Sequence, residues 1–187
     1  TPTTDDSGGG AGGPGDPTPL TPPVTGPELT STKSFGTPVL NDDGTITVPV
    51  TIEVENTGDV DIDNLQISDD LSAASNFGTA FQSVTVAPTI SVTDDGSATT
   101  AAAPTANATA YDGSGQPLLL AGTDGILGVG DSLTVSFTVL VDPNATGAPA
   151  DLENTATATG DDPSGTQTTD DSGGAPGGTG TPTPLTP

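Results

Sequence analysis

One stretch of this chain constrains the fold more than any other, residues 44–71, with the sequence GTITVPVTIEVENTGDVDIDNLQISDDL. From Ile46 to Val54, branched apolar side chains occupy every second position, and polar residues or proline lie between them. Successive side chains of a strand point to opposite faces, so this alternation predicts a β-strand with one buried face. The turn residues 56–59 and a second apolar series at 60–67 predict an antiparallel hairpin.

The second apolar series changes its parity. Val60 and Ile62 are at even positions, whereas Leu65 and Ile67 are at odd ones. An extra residue in a strand moves the following side chains to the opposite face. We therefore predict a β-bulge at Asp63–Asn64, or a bend at which the strand changes sheets.

Composition excludes several classes of function. The 187 residues include no Cys and no His, a single basic residue (Lys33) and a formal net charge of −24. Without Cys and His, there are no disulfide bonds, no thiolate or imidazole metal ligands and no Ser-His-Asp triad. A chain with one basic side chain cannot neutralise phosphate groups, so we expect neither nucleic acid nor an anionic membrane as a partner. No apolar run is long enough for membrane insertion.

The two ends of the chain repeat each other. Residues 1–22 and 166–187 align without gaps and are identical at 17 of 22 positions. Both segments are rich in Gly, Pro, Thr and Asp, a composition that buries little apolar surface. The repeat predicts one unit of a tandem array, with Gly/Pro-rich inter-repeat linkers at 1–26 and 161–187 and a folded domain at 27–160.

Two interpretations of the linkers are open. Their composition is typical of flexible spacers. Alternatively, the prolines hold an extended, polyproline-like strap, and Leu20 and Leu185 dock on a neighbouring unit. The prolines of that strap are Pro14, Pro17, Pro19, Pro22 and Pro23.

Further alternating segments complete the predicted fold. Residues 133–141 give the clearest pattern, and weaker strands are expected at 28–35, 81–92, 105–111 and 152–158. Pro88 confines its strand to a sheet edge or a bulge, because proline has no N–H to donate. No helical period is found, so the prediction is an all-β, immunoglobulin-like antiparallel β-sandwich.

Several phrases of the sequence resemble bacterial surface-repeat domains of the DUF11 type. They are ELTSTKS, VTIEVENTGDVDIDNLQISDDL, GDSLTVSFTVLVDP and LENTATATGDDPSG, within residues 27–165. The resemblance implies an immunoglobulin-like sandwich that is secreted and strung in tandem in long cell-surface or adhesin-like proteins, without enzymatic activity. Residues 72–127 depart from the family's short pattern as an enlarged insertion.

Three polar residues share strand faces with apolar neighbours: Lys33, Asp69 and Asn154. Burying them would be costly unless they were paired. The set also resembles the arrangement of intramolecular isopeptide domains in bacterial pilins and adhesins. In that mechanism a neutral Lys33 amine attacks the Asn154 amide, a protonated Asp69 relays protons, and ammonia leaves. The resulting bond would tie the first strand to the last.

A plainer interpretation of the same residues is also open. In it, Lys33 lies in a polar edge strand and pairs loosely with one of many carboxylates, while Asn154 caps a bend. The same choice applies to Asp59, Asp61 and Asp63, which alternate along the chain. They are either a solvated strand face or a surface Ca²⁺ site made of oxygen ligands, which is the one cofactor that we consider.

These observations predict a structural tandem-repeat unit of an extracellular bacterial surface fibre, filament or adhesin stalk. Its partners would be copies of itself that associate end to end. The alternative is a ligand- or carbohydrate-binding adhesin module that uses residues 72–127. In neither case do we expect an enzyme, apart from autocatalytic formation of the isopeptide bond.

Overall fold

A computed structural model describes residues 26–96 and 102–186 of the chain. Within these ranges the only helical element is a three-residue 3₁₀ turn, Gly78–Ala80, and no helix is long and apolar enough to cross a membrane. The N-terminal copy of the repeat, with Leu20 and the prolines of the predicted strap, lies outside the described residues. The strands are β1 (Leu29–Phe35), β2 (Val39–Leu40), β3 (Ile46–Asn56), β4 (Asp63–Ser68), β5 (Phe81–Thr93), β6 (Ser132–Val141), β7 (Glu153–Asn154), β8 (Thr157–Asp161), β9 (Gln167–Asp171) and β10 (Thr183–Pro184).

The strands form antiparallel sheets. The first sheet has the order β1-β3-β6-β5, and β2 also pairs with β3. The second sheet has the order β4-β8-β9, and β10 pairs with β7 in a short ribbon. The prediction of an all-β fold built from antiparallel sheets is confirmed.

The core lies between the inward faces of the two sheets. In β3, Ile46, Val48, Val50, Ile52 and Val54 are all buried, as the alternation predicts. They belong to one apolar cluster that also contains residues of β6, β4 and β8. A single core shared by two antiparallel layers is consistent with a β-sandwich.

The predicted hairpin between residues 46–55 and 60–67 is wrong. β3 pairs with β1 on one side and β6 on the other, so neither edge of β3 is free for β4. β4 pairs instead with β8 in the second sheet. Asn56 fixes the connection from β3 in the first sheet to β4 in the second. Its buried side-chain amide donates to the carbonyl oxygens of Val60 and Leu127, both at 2.9 Å.

The predicted bulge at Asp63–Asn64 is confirmed. The register of β4 against β8 shifts between Asp63 and Gln66. Asn64 has φ = 53°, the one non-glycine residue with positive φ in the described part of the chain. Because of this irregularity, Ile62 and Leu65 are both fully buried although their parity differs.

The enlarged insertion contributes to the core. Its β5 is the edge strand of the first sheet, and the register shifts between Val86 and Thr89, around Pro88. The prediction that Pro88 occupies an edge or a bulge is therefore confirmed. The strand predicted at 105–111 is wrong, because residues 102–127 make only isolated bridges, with a turn at 108–110. Leu119, Leu120 and Leu127 from this segment are buried.

The structure continues the second sheet beyond residue 160, into the segment predicted as a linker. β9 pairs along its whole length with β8, and β10 pairs with β7. Leu185 lies on its own domain, with 6% of its surface exposed. We refer to residues 166–186 as the C-terminal segment. Hydrogen bonds rather than apolar burial hold most of it, which is why a Gly-rich composition did not indicate a strand.

The close approach of β8 to β4 gives a test of the packing. Gly160 is buried in β8, and a Cβ atom at this position would overlap the side chain of Ile62 and lie 3.2 Å from the carbonyl oxygen of Asp63. We expect Gly160→Ala to lower the free energy of unfolding by about 1–3 kcal/mol, because the core would be overpacked. Denaturant unfolding measures the change.

The matched control is Gly115→Ala. Here the nearest atom to an added Cβ, in the Asp112 side chain, is 3.8 Å away, an ordinary contact. This control should change stability by less than about 0.5 kcal/mol. Equal effects of the two substitutions would show that Gly160 is not tightly packed against Ile62.

Candidate functional site

Lys33, Asp69 and Asn154 meet in the interior of the domain. The Lys33 Nζ lies 2.5 Å from Asp69 Oδ2, and the side chains of both residues are fully buried. The Asn154 Nδ2 donates to Asp69 Oδ1 at 3.0 Å, and Asn154 is also fully buried. One carboxylate thus contacts both the amine and the amide. Lys33 is not in a loose surface pair, because its side chain has no exposure to solvent.

Each of the three residues is held by the backbone of a different element. Lys33 lies in β1, opposite Ile52 of β3. Asp69 directly follows β4, and its N–H donates to the Pro117 carbonyl oxygen at 2.9 Å. Asn154 lies in β7, which is not the last strand, since β8, β9 and β10 follow it. The site therefore joins the first sheet to elements of the opposite side of the domain.

The C-terminal segment covers this site. Thr183 in β10 pairs with Asn154, and its hydroxyl donates to the carbonyl oxygen of Lys33 at 3.3 Å. A surface groove beside Lys33 is lined by Phe35, Thr183 and Leu185, among others. Thr183 and Leu185 therefore lie beside the backbone of Lys33.

Burial moves both charged groups toward their neutral forms. It lowers the pKa of the Lys33 amine below its usual value, although the nearby Asp69 carboxylate opposes the shift. It raises the pKa of the Asp69 carboxyl, against the opposing effects of Lys33 and Asn154. In the neutral pair the amine carries a free lone pair, and the carboxyl carries a proton that it can donate. These are the protonation states that an amine nucleophile and an acid catalyst need.

The amide of Asn154 has an unpaired atom. Its Oδ1 is the one buried side-chain nitrogen or oxygen without a hydrogen bond among the described residues. An unpaired buried carbonyl costs about 1–3 kcal/mol. If the amide turns by half a rotation, this oxygen faces Asp69, where a protonated carboxyl can donate to it. The same contact would polarise the amide carbon toward attack by the Lys33 amine.

Tyr111 helps to hold Asp69 in place. Its hydroxyl donates to the Asp69 carbonyl oxygen at 3.3 Å, and its ring packs edge-on against Phe137 with centroids 5.2 Å apart. Burial raises the pKa of the Tyr111 hydroxyl, so this group remains a proton donor. Sequence reasoning did not single out Tyr111, because an aromatic side chain at that position also fits an ordinary core.

The carboxylates proposed for Ca²⁺ are not gathered into a cluster. Within the described ranges, the acidic group with oxygens within 4.8 Å of one another consists of Asp94, Asp95 and Asp131, not Asp59, Asp61 and Asp63. Asp131 is buried because it shapes its own loop, accepting the N–H groups of Gly128 at 2.9 Å and Asp95 at 3.0 Å. Calcium binding at 59–63 stays a prediction.

A further buried carboxylate, Asp170, was not predicted from the sequence. Asp170 in β9 is fully buried and accepts from the Ser31 N–H and hydroxyl, both at 2.6 Å. Asp170 lies in the segment predicted as a linker, in which no buried side chain is expected. The signal that could have identified it is the phrase TTDDSGG, which occurs in both terminal segments.

Comparisons of the chain with models of protein families, with curated proteins and with solved structures gave no match.

The buried pair can be tested in an Asn154→Ala background, in which no amide is present to react. We expect Lys33→Met in this background to lower the free energy of unfolding by about 3–5 kcal/mol at neutral pH, because it leaves Asp69 buried without its partner. Changing Asp69 to Leu as well should recover most of the loss. Denaturant unfolding measures all of these variants, with Ser34→Met, an exposed neighbour on β1, as the control.

The loss should also depend on pH. Without Lys33, the pKa of Asp69 is raised further, since burial then acts unopposed by the amine. The folded state of the Lys33→Met variant therefore binds a proton that the unfolded state releases above about pH 4, so its stability falls as the pH rises from there. A Lys33→Met variant whose stability is independent of pH, or equals that of Ser34→Met, would contradict a buried ion pair.

Proposed function

We propose that this chain is a structural tandem-repeat unit of an extracellular surface fibre or adhesin stalk. We further propose that its immunoglobulin-like sandwich locks itself with an isopeptide bond between Lys33 and Asn154. One observation carries the proposal. The only basic side chain in 187 residues is fully buried against a carboxylate that also contacts an amide with an unpaired oxygen. The chain has 25 acidic residues, and pairing with an exposed one of them would cost that cation less desolvation.

The reaction would be an acyl transfer within the chain. The neutral Lys33 amine attacks Cγ of Asn154, while Asp69 donates a hydrogen bond to Oδ1 and stabilises the negative charge that develops there. Asp69 then passes a proton from the attacking nitrogen to Nδ2, and the C–N bond of the amide breaks. The products are a secondary amide between the two side chains and one molecule of ammonia. No oxidant, metal or other co-reactant is needed.

The bond would suit a mechanical role. It would join β1, near one end of the domain sequence, to β7, near the other, and close a loop of roughly 120 residues. A force that pulls on the two ends would then pass through the Lys33–Asn154 bond rather than through the sheets. A chain without Cys cannot obtain such a connection from a disulfide.

Three sequence features support the fibre. The terminal repeat fits a tandem array, the charge of −24 keeps the units soluble, and the resemblance to DUF11-type repeats fits a surface protein. The insertion favours a structural role over ligand presentation. It contributes an edge strand to the first sheet and buries Leu119, Leu120 and Leu127, so much of it is part of the core.

Intact mass tests the cross-link directly. The folded wild-type chain should weigh less than its sequence by one molecule of ammonia. Asp69→Ala and Asn154→Ala should each keep the full mass, because one lacks the proton relay and the other lacks the acyl group. The matched control, Asn144→Ala in an exposed turn, should lose ammonia as the wild type does. A wild-type chain with the full sequence mass would refute the bond.

Pulling single molecules from both ends tests the mechanical role. In the wild type, the residues between Lys33 and Asn154 should not add to the extended length at high force, because the cross-link bypasses them. The final contour length should then be shorter by roughly 400 Å than in Asn154→Ala, at about 3.4 Å per residue. The Asn144→Ala control should extend as the wild type does. Equal contour lengths for the wild type and Asn154→Ala would show that no covalent bond carries the load.

A further inference from the structure

The C-terminal segment fits a specific groove on its own domain. Asp170 of β9 accepts two hydrogen bonds from Ser31 of β1, each 2.6 Å long. Ser172 makes two hydrogen bonds with Ala156. The Ala156 N–H donates to the Ser172 Oγ at 3.0 Å, and the Ser172 N–H donates to the Ala156 carbonyl oxygen at 2.8 Å. Both Asp170 and Ser172 are fully buried. The groove is therefore lined by β1 and the residues around β8, and polar contacts define its occupant.

The far end of the segment is held by an apolar anchor. Leu185 packs into the core cluster, and its N–H donates to the Leu152 carbonyl oxygen at 2.7 Å. Two glycines make the intervening turn compact. A Cβ at Gly173 would overlap the Thr181 carbonyl oxygen, and one at Gly180 would overlap that of Ser172. The occupant thus needs a carboxylate, a hydroxyl, these glycines and a leucine at fixed spacing.

Residues 1–22 meet every one of these requirements. The buried positions Thr168, Asp170, Ser172 and Leu185 correspond to Thr3, Asp5, Ser7 and Leu20, and each pair is identical. Gly173 and Gly180 correspond to Gly8 and Gly15. The five positions that differ are Gln167, Ala175, Pro176, Thr179 and Thr181, and all five are exposed. The differences between the copies therefore avoid the side chains that contact the groove.

We propose that residues 3–20 of one unit fill, in another copy of this domain, the groove that residues 168–185 fill here. The N-terminal segment would then be the final strand of a neighbouring unit rather than a spacer. The inference rests on the proposed function in that the neighbour is another unit of the same array. It also replaces the prediction that Leu185 docks on a neighbour, since Leu185 lies on its own domain and Leu20 takes that role.

The consequence for an array is a short connection. In this domain the Glu28 carbonyl oxygen accepts hydrogen bonds from the N–H groups of Thr57 and Gly58, so Glu28 is fixed to its own unit. If Leu20 is anchored on the preceding unit, few residues lie between the two anchors. Residues 21–27 reach at most about 25 Å when extended. Neighbouring domains would then be closely spaced, as a stiff fibre requires.

The test uses the complete chain with a protease site inserted between Gly165 and Thr166, in the exposed turn after β8. After cleavage, the protein is unfolded and refolded with synthetic peptides, and native mass spectrometry shows which peptide is bound. A peptide of residues 1–22 should replace the cleaved segment. The same peptide with Asp5→Ala and Leu20→Ala should bind at least about tenfold more weakly, because it lacks the carboxylate and the anchor. Pro14 and Asp16 correspond to Thr179 and Thr181, which are exposed. A control peptide with Pro14→Ala and Asp16→Ala should therefore bind like the unchanged peptide.

A second arm needs no cleavage. The intact chain with Asp170→Ala and Leu185→Ala has a weakened segment of its own, so the N-terminal segment of another copy should fill the groove. We expect head-to-tail oligomers that grow with concentration by light scattering, whereas the wild type stays monomeric. Adding Asp5→Ala and Leu20→Ala should abolish the oligomers.

Two results would overturn the inference. One is equal binding of the unchanged peptide and the peptide with Asp5→Ala and Leu20→Ala. The other is the same oligomeric state with and without Asp5 and Leu20 in the weakened chain. Loss of ammonia, measured on the same samples, reports on the cross-link independently, so a failure of one proposal is distinguishable from a failure of the other.

Discussion

The buried contact between Lys33 and Asp69 is the constraint on which the rest of the structure depends. Removing an amine and a carboxylate from water costs several kcal/mol for each ion, and their attraction offsets this only with good geometry and further hydrogen bonds. Lys33 has one polar partner shown for its side chain, Asp69, and the Asn154 oxygen beside them has none. As a non-covalent arrangement this site is poorly compensated. As the reactant state of an amide-forming reaction, it has the groups that the reaction needs, and burial shifts the pKa of Lys33 and of Asp69 in the direction that the reaction needs.

Such a site requires an interior from which water is excluded. In this domain an aliphatic core and the polar C-terminal segment provide it. Aromatic residues are only 3% of the chain, so branched aliphatic side chains from the two sheets fill most of the core. On the outer side, a polar segment completes the enclosure. The Asp170–Ser31 hydrogen bonds hold β9 beside β1, and Thr183 bridges to the Lys33 backbone. Hydrogen bonds between fully buried groups can hold a Gly-rich strand in place without apolar burial, because breaking them would leave buried groups unpaired.

The sequence predicted what depends on local periodicity and missed what depends on partners. The alternation in β3, the bulge at Asp63–Asn64 and the inward aim of Lys33, Asp69 and Asn154 follow from side-chain parity, which a single strand determines. The crossover of β4 does not, because whether β3 pairs with β4 depends on competition from β1 and β6. β9 was hidden for a related reason. Besides its pairing with β8, it is held by a serine 139 positions away in the chain, and no local pattern records that contact.

The proposed cross-link and the proposed exchange of the C-terminal segment involve different parts of the chain, and this separation matters for assembly. The proposed Lys33–Asn154 bond would close a loop that contains β2 to β6, and it would leave β8 and the C-terminal segment outside that loop. Under these two proposals the ends of the loop would stay joined even when the domain unfolds, whereas the C-terminal segment, held by hydrogen bonds and Leu185, would be able to exchange for an equivalent segment. A unit built in this way would keep its covalent connection between β1 and β7 whichever copy supplies the last strand. Mechanical strength and the link between units would then depend on different residues, so neither would have to be weakened for the other.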